Sequence, residues 1–435
     1  MLGSGVGGSS ALYGMVLERF FPDDFTPRAN FADVAGSTVP EAWPVSYEDM
    51  VPWYERAEAL YRVRGSADPL RVDGGGTALL PPGPMTAANS QLAEFLAGRG
   101  MHPYGLHVAC EYRKDCRSCQ SFLCPANCKN HAGNICVEPA LRDHRAVLLD
   151  DTTVVRLEAS RTAVTEVVAR RHGGTLVFRG KTVVLAGGAF MTPTLLLRSA
   201  SRVWPYGLAN DHDIVGRNLM RHIIDVYLFR APVDEPVTGQ VKQIGVNDFY
   251  RMDGQRYGTL QSLGAMPPFA FLMNVGRAER RVLGPFRSLG RRWTAFGREQ
   301  LIPLATIVED LPHAENRVLP GSGDTAGGKV VKVRVNHIVS AADRKRNREL
   351  AVRLKRSFAG YRRSRLFPIH LSMADSNNGV GHHCGTCRFG DDPRTSALDP
   401  TCRAWGLDNL YVVDASVLPS SAGINPSLTI AANAL

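Results

Sequence analysis

The sequence predicts a discontinuous α/β domain joined to an α+β domain, and three observations carry that prediction. Leu410 to Val413 is a short apolar run suited to a buried strand, with Asp414 at its carboxyl end, where open α/β sheets bind ligands. Four β-branched runs, Thr153 to Leu157, Val164 to Val168, Thr175 to Phe178 and Thr182 to Leu185, read as a small meander that returns to a sheet strand. Residues 223 to 380 mix candidate strands, Ile223 to Phe229, Leu301 to Ile307 and Val330 to Val335, with a basic helix. At about 150 residues per domain the length allows roughly two or three domains.

The elements follow in order along the chain. A glycine cluster, Gly3, Gly5, Gly7 and Gly8 ahead of Ser9, opens it. Ser46, with Glu48 and Asp49 behind it, starts a helix expected to run to Val63. Residues 79 to 87, rich in Leu and Pro, read as a loop. His172-Gly-Gly174 supplies a hairpin turn, and a helix is expected from Thr192 to Ser199. Leu350, Leu354 and Phe358 recur every four residues and give the basic helix one apolar stripe, with its charges elsewhere. Near the end, Pro426 followed by an apolar run marks a helix start with Asn425 as N-cap, whose free N–H groups suit an anion or a cofactor edge.

The C-terminal series Gly381-His-His-Cys-Gly-Thr-Cys387, Asn409-Leu-Tyr-Val-Val-Asp-Ala-Ser416 and Asn425-Pro-Ser-Leu-Thr429 resembles the glucose-methanol-choline (GMC) flavoprotein oxidoreductases. Further blocks extend the resemblance over most of the chain: Gly3 to Ala11, Trp43 to Asp49, Val184 to Ala189 with Thr192-Pro193, Val215 to Leu219, and Asn316 to Val318. It implies a Rossmann-like FAD-binding domain assembled from residues 1–20, 140–222 and 381–435. A lid and cysteine-rich connecting region would span 21–139, and a substrate domain on an antiparallel sheet 223–380. It also implies oxidation of an alcohol or sugar CH–OH group by an FAD-dependent enzyme, with His382 as base and Asn425 as its substrate-orienting partner. Histidine suits that task because its pKa lies near neutrality. His383 is the neighbouring rival for the base. The cofactor would be lined by Gly5, Gly7, Gly8, Ser9, Val154, Ala186, Gly187, Asp414, Ala415, Asn425, Pro426 and Thr429. The family's opening strand and G-x-G-x-x-G turn have no counterpart ahead of Gly3, so the segment that grips the FAD pyrophosphate is expected to be missing.

Six of the nine cysteines fall between Cys110 and Cys136, with the core spacing C-x2-C-x4-C-x3-C. Thiolates so spaced, Cys116, Cys119, Cys124 and Cys128, could hold an iron–sulfur cluster or zinc; disulfides or free structural thiols are the alternatives. Some GMC dehydrogenases carry an iron–sulfur cluster in this region, which would imply electron transfer to an acceptor other than oxygen. The formal charge of +10 concentrates at Arg277 to Arg281, at Arg291-Arg292 and from Arg344 to Arg365. It is read mainly as a solvated helix face, and beyond that as a surface for an acidic redox partner or small accessory subunit. No nucleic-acid motif accompanies it. No apolar run reaches the roughly 18 residues of a membrane span, the nearest being Pro267 to Val275, and no signal-peptide pattern opens the chain. Localisation stays open between cytoplasmic and exported with a partner.

Overall fold

The computed structural model describes residues 3, 5–31, 34–73, 76, 78–113, 116, 118–120, 123–230, 242–264, 301–321, 331–361, 369–372 and 381–435. The Pro267–Val275 run, the basic groups at 277–281 and 291–292, Val330, and Arg362, Arg363 and Arg365 lie outside the described residues. Among the described residues six α-helices form: α1 (Tyr47–Tyr61), α2 (Ala87–Ala97), α3 (Glu138–Asp143), α4 (Gly188–Arg198), α5 (Ala341–Ser357) and α6 (Ser427–Ala434).

One half of the molecule is the α/β part. Leu410–Val412 pairs in parallel with Val183–Leu185, and Thr152–Ala159, Val164–Arg171 and Gly174–Phe178 form the antiparallel meander beside them. His172 and Gly173 both take positive φ, 48° and 82°, at the hairpin turn, the conformation that matches the right-handed twist of the flanking strands. Helix α1 begins where the sequence places it. Ser46 Oγ accepts from Asp49 N at 3.1 Å while Asp49 Oδ2 accepts from Ser46 N at 2.9 Å, a reciprocal capping box. Its buried face, Tyr47, Met50, Tyr54, Ala57 and Tyr61, shares a core with Leu410, Val412 and Leu428.

The other half is an antiparallel sheet of six strands in the order Tyr104–Gly105, Ile244–Val246, Gly258–Ser262, Leu301–Val308, Ile223–Arg230 and Ile369–Ser372. Helix α5 covers it with the expected stripe: Leu350, Leu354 and Phe358 join Tyr227, Phe229 and Leu304 in one core. Helix α2 contributes Ala88, Leu92 and Leu96 to the same core. This stretch of the 21–139 region therefore packs as part of the sheet domain.

Two helix starts differ from expectation. Helix α4 begins at Gly188, four residues before Thr192, and carries Pro193 in its interior. The carbonyl of Ala189, which proline's missing N–H leaves unpaired, accepts Thr386 Oγ1 at 2.8 Å instead. In α6 the N-cap is Pro426 rather than Asn425, and no side chain caps the helix. In α4 a tertiary contact thus accommodates what the local signal disfavours.

The N-terminal segment is fixed to α1 by an ion pair with almost no solvent access: Arg19 Nε lies 2.6 Å from Glu58 Oε1 and Arg19 Nη2 lies 2.7 Å from Glu58 Oε2. Glu58→Gln would leave the guanidinium buried without a counter-charge. Denaturant unfolding is expected to show a loss of about 3–5 kcal/mol, and a loss under about 1 kcal/mol would mean the pair is solvated.

Candidate active site

His382 and Asn425 stand on loops that run between the two halves. The loop Gly381–Cys387 is tied down by backbone pairs, Cys384 with Met220 at 3.0 Å in both directions and Cys387 N to Ser416 O at 2.8 Å. His382 faces a second histidine, His222, with their Nδ1 atoms 2.8 Å apart and their rings nearly perpendicular. His222 is fully buried, and its Nε2 lies 3.0 Å from the carbonyl oxygen of Ser421 and 2.8 Å from that of Ala422. Three residues beyond Ala422 comes Asn425, 6% exposed, whose Oδ1 is buried without a hydrogen-bond partner among the described residues. His383 points elsewhere: its ring packs 4.6 Å from that of Phe190.

Electrostatically the three histidines share one condition. Burial pushes His222 down to about 4 and His383 down to about 3. His382 is held well below its ordinary value by burial and by repulsion from His222, His383 and Lys242. Burial also lowers Lys242 to about 7. Near neutrality His382 is therefore an uncharged base.

The residues expected to line a cofactor fit one in their backbone geometry. Gly5, Gly7 and Gly8 all have positive φ (136°, 85° and 55°), and a Cβ on Gly5 or Gly8 would meet nothing within 4 Å. Bare backbone thus faces open space. Ser9 steadies this turn by accepting from Gly3 N at 3.2 Å. Asp414 acts through other residues. Its carboxylate accepts from Gly188 N at 2.8 Å, Thr192 Oγ1 at 2.5 Å and Ser416 N at 2.8 Å, so it holds the turn after Val183–Leu185 against Ala415. Ala186 and Gly187, in that turn, are exposed, and Val154 on the first meander strand is 38% exposed. Thr429 Oγ1 bonds Tyr54 OH at 2.8 Å, so its side chain anchors α6 to α1, while Pro426 caps the helix. Open backbone at Gly5 and Gly8 and the exposed turn at Ala186 and Gly187 leave room for a ligand, while Asp414 and Thr429 hold the surrounding turns in place.

The cysteines gather without forming a recognisable metal centre among the described residues. Among the described residues no group of three or more His, Cys, Asp or Glu side chains is placed to hold a metal ion, and all nine thiols are free. Cys110 and Cys116 pair at 3.5 Å between sulfurs, Cys124 Sγ accepts from Cys128 N at 3.2 Å, and Cys128 Sγ turns to the Ala126 carbonyl. With Met15, Val16, Leu106 and Val108 they form a small apolar core. The iron–sulfur expectation for Cys116, Cys119, Cys124 and Cys128 finds no support in that arrangement.

His222 is the functional neighbour that sequence reasoning missed. It lies three residues past Leu219, where the recognised block ends, and the only local signal is a histidine directly before the apolar run Ile223 to Phe229.

Residues 1–224 and 312–434 match the N- and C-terminal models of the GMC oxidoreductases. The chain is 28% identical to 6'''-hydroxyparomomycin C oxidase of Streptomyces lividus, covering 99% of this chain and 77% of that protein. It is 27% identical to 2-methyl-1,2-propanediol dehydrogenase of Mycolicibacterium austroafricanum, covering 99% and 79%. Among solved structures, pyridoxine 4-oxidase from Mesorbium loti superposes with a TM-score of 0.63 at 20% identity, covering 98% of this chain and 82% of that one. That likeness bears on the fold. No described helix is long and apolar enough to cross a membrane.

The buried histidines make stability depend on pH in one direction. A folded-state pKa below the unfolded value of about 6.5 means the unfolded chain takes up protons first, so stability is present above about pH 6.5 and is lost as pH falls. From His222 alone the loss between pH 7 and pH 5 is on the order of 2 kcal/mol. Denaturant unfolding at the two pH values should show it, and His222→Asn, which cannot titrate, should show a smaller drop.

Proposed function

Because the chain belongs to the GMC oxidoreductase family, enzymes that oxidise CH–OH groups with FAD, we propose that His382 is the base for oxidation of an alcohol or sugar hydroxyl and that Asn425 orients the substrate. The observation that carries this reading is the pairing of an uncharged His382 with His222, whose other nitrogen faces the turn that leads three residues on to the buried Asn425. FAD, when bound, supplies the acceptor for the hydride that leaves the carbinol carbon. The turn around Gly5, Gly7, Gly8 and Ser9, the turn at Ala186 and Gly187, Val154, and Ala415 with the Pro426 end of α6 would hold it. His382 accepts the hydroxyl proton as the C–H bond breaks. Asn425 Nδ2 would donate to the substrate oxygen, and a donor there does not compete for that proton.

For the electron acceptor, a species other than oxygen is the finer proposal. One of the relatives is a dehydrogenase, which supports it, and one is an oxidase, which favours oxygen. Further support is the basic face of α5, where Lys345, Arg348, Lys355 and Arg356 are exposed and would suit an acidic redox partner. Hydrogen peroxide release matching substrate consumption would overturn this part, whereas anaerobic turnover with a one-electron dye would support it.

Purified enzyme carrying His382→Ala is expected to keep its flavin-to-protein ratio and lose about 10²–10⁴-fold in kcat. Asn425→Ala should lose about tenfold in kcat/KM, the worth of one hydrogen bond. In the parent enzyme the acid limb of the kcat/KM profile should lie below pH 6.5, since the neutral form of His382 is the active one and burial favours it. Full activity in the His382→Ala enzyme would remove the proposed base.

A further inference from the structure

We infer that His222 is a positioning residue that fixes the tautomer of His382, placing the proton on His382 Nδ1 and leaving Nε2 bare toward the substrate. This rests on the reading of His382 as the base and adds which of its nitrogens does the work. The argument is one of donors and acceptors. His222 Nε2 lies within 3.0 Å of two backbone carbonyl oxygens, those of Ser421 and Ala422. Carbonyl oxygens only accept, so that nitrogen carries the proton. Burial keeps the ring neutral, with a pKa down at about 4, so its other nitrogen, Nδ1, holds a lone pair and can only accept. The 2.8 Å contact between the two Nδ1 atoms needs one hydrogen, and only His382 can provide it.

The surroundings hold this polarity in place. Ala422 stands at φ 54°, a conformation unusual for a residue with a side chain. It is kept there because its N–H donates to Glu309 Oε1 at 3.1 Å while its carbonyl faces His222. Ser421 is pinned through Oγ, which donates to the Asp310 carbonyl at 3.1 Å. Rotating either carbonyl away from His222 would break these contacts.

In the reaction the substrate O–H bond breaks and an N–H bond forms at His382 Nε2, while the electron pair of the carbinol C–H bond leaves as hydride to the flavin. His382 then carries two N–H groups, and His222 Nδ1 continues to accept from one of them.

The test uses holoenzyme labelled with 15N at histidine. In 15N NMR, His382 should show a protonated Nδ1 and an unprotonated Nε2, and His222 the reverse, with signals assigned from His222→Asn and His382→Asn. A protonated His382 Nε2 in the neutral enzyme would overturn the inference while leaving the His382 base reading to its own kinetic test. In turnover, His222→Ala should lose about 10²-fold in kcat with KM nearly unchanged and flavin retained. His222→Asn, whose Oδ1 can accept from His382, should recover most of that loss. Equal loss in both variants, or loss that follows flavin content, would mean that His222 only supports the fold.

Discussion

A buried turn with no secondary structure of its own is the constraint on which the rest of this molecule depends. Every residue from Leu418 to Pro426 is buried, and a chain without ladder partners must find other partners for its backbone polar groups or lose the free energy of leaving them bare. The antiparallel domain supplies them. Gly423 O accepts from Thr259 N at 3.0 Å, Gly423 N donates to Tyr250 OH at 3.2 Å, and Ala422 N donates to Glu309. From the α/β side, Trp43 Nε1 donates to Ser420 Oγ at 2.8 Å. The two halves are therefore joined by the backbone needs of the segment that presents Asn425 and receives His222.

The same burial sets the chemistry. A histidine in water would be partly protonated near neutrality and a weaker candidate for accepting a proton at once. Here removal from water makes charge expensive, and neighbouring His222, His383 and Lys242 add repulsion, so the unprotonated form of His382 prevails. The cost appears as stability that fades in acid. Lys242 shows a similar effect, burial lowering its pKa to about 7 while its amine donates to Gln120 Oε1 at 3.0 Å.

How much of this could be read from the sequence follows from the range of each interaction. The meander, the strand before Asp414, the capping box of α1 and the stripe of α5 all rest on periodicity or contacts within a few residues, and all appear where periodicity puts them. Helix α4 starts earlier than the sequence suggests, because Pro193 reads locally as a first-turn residue. Its interior placement is made tolerable by Thr386, which is 197 positions away from Ala189. His222 and His382 are 160 positions apart, and no spacing rule spans that distance. The cysteine density suggests a metal, and the thiols do gather, Cys116 beside both Cys110 and Cys128 and Cys119 beside Cys124. Among the described residues, however, no three of them are placed around one point where an ion could sit, and they pack against apolar neighbours.

The histidine pair also ends in a way that limits what it can do. A chain of imidazoles that finishes on a carboxylate or on water can pass a proton along, because the last group can take it. This one finishes on the carbonyls of Ser421 and Ala422, and a peptide carbonyl accepts a hydrogen bond but does not take up a proton near neutrality. A proton gained at His382 therefore has no exit through His222 and must leave by the face at which it arrived, after product has separated. The pair orients and does not relay. Its rigidity comes from backbone groups that neither titrate nor rotate, which is why a short turn between two domains can set the direction of a base.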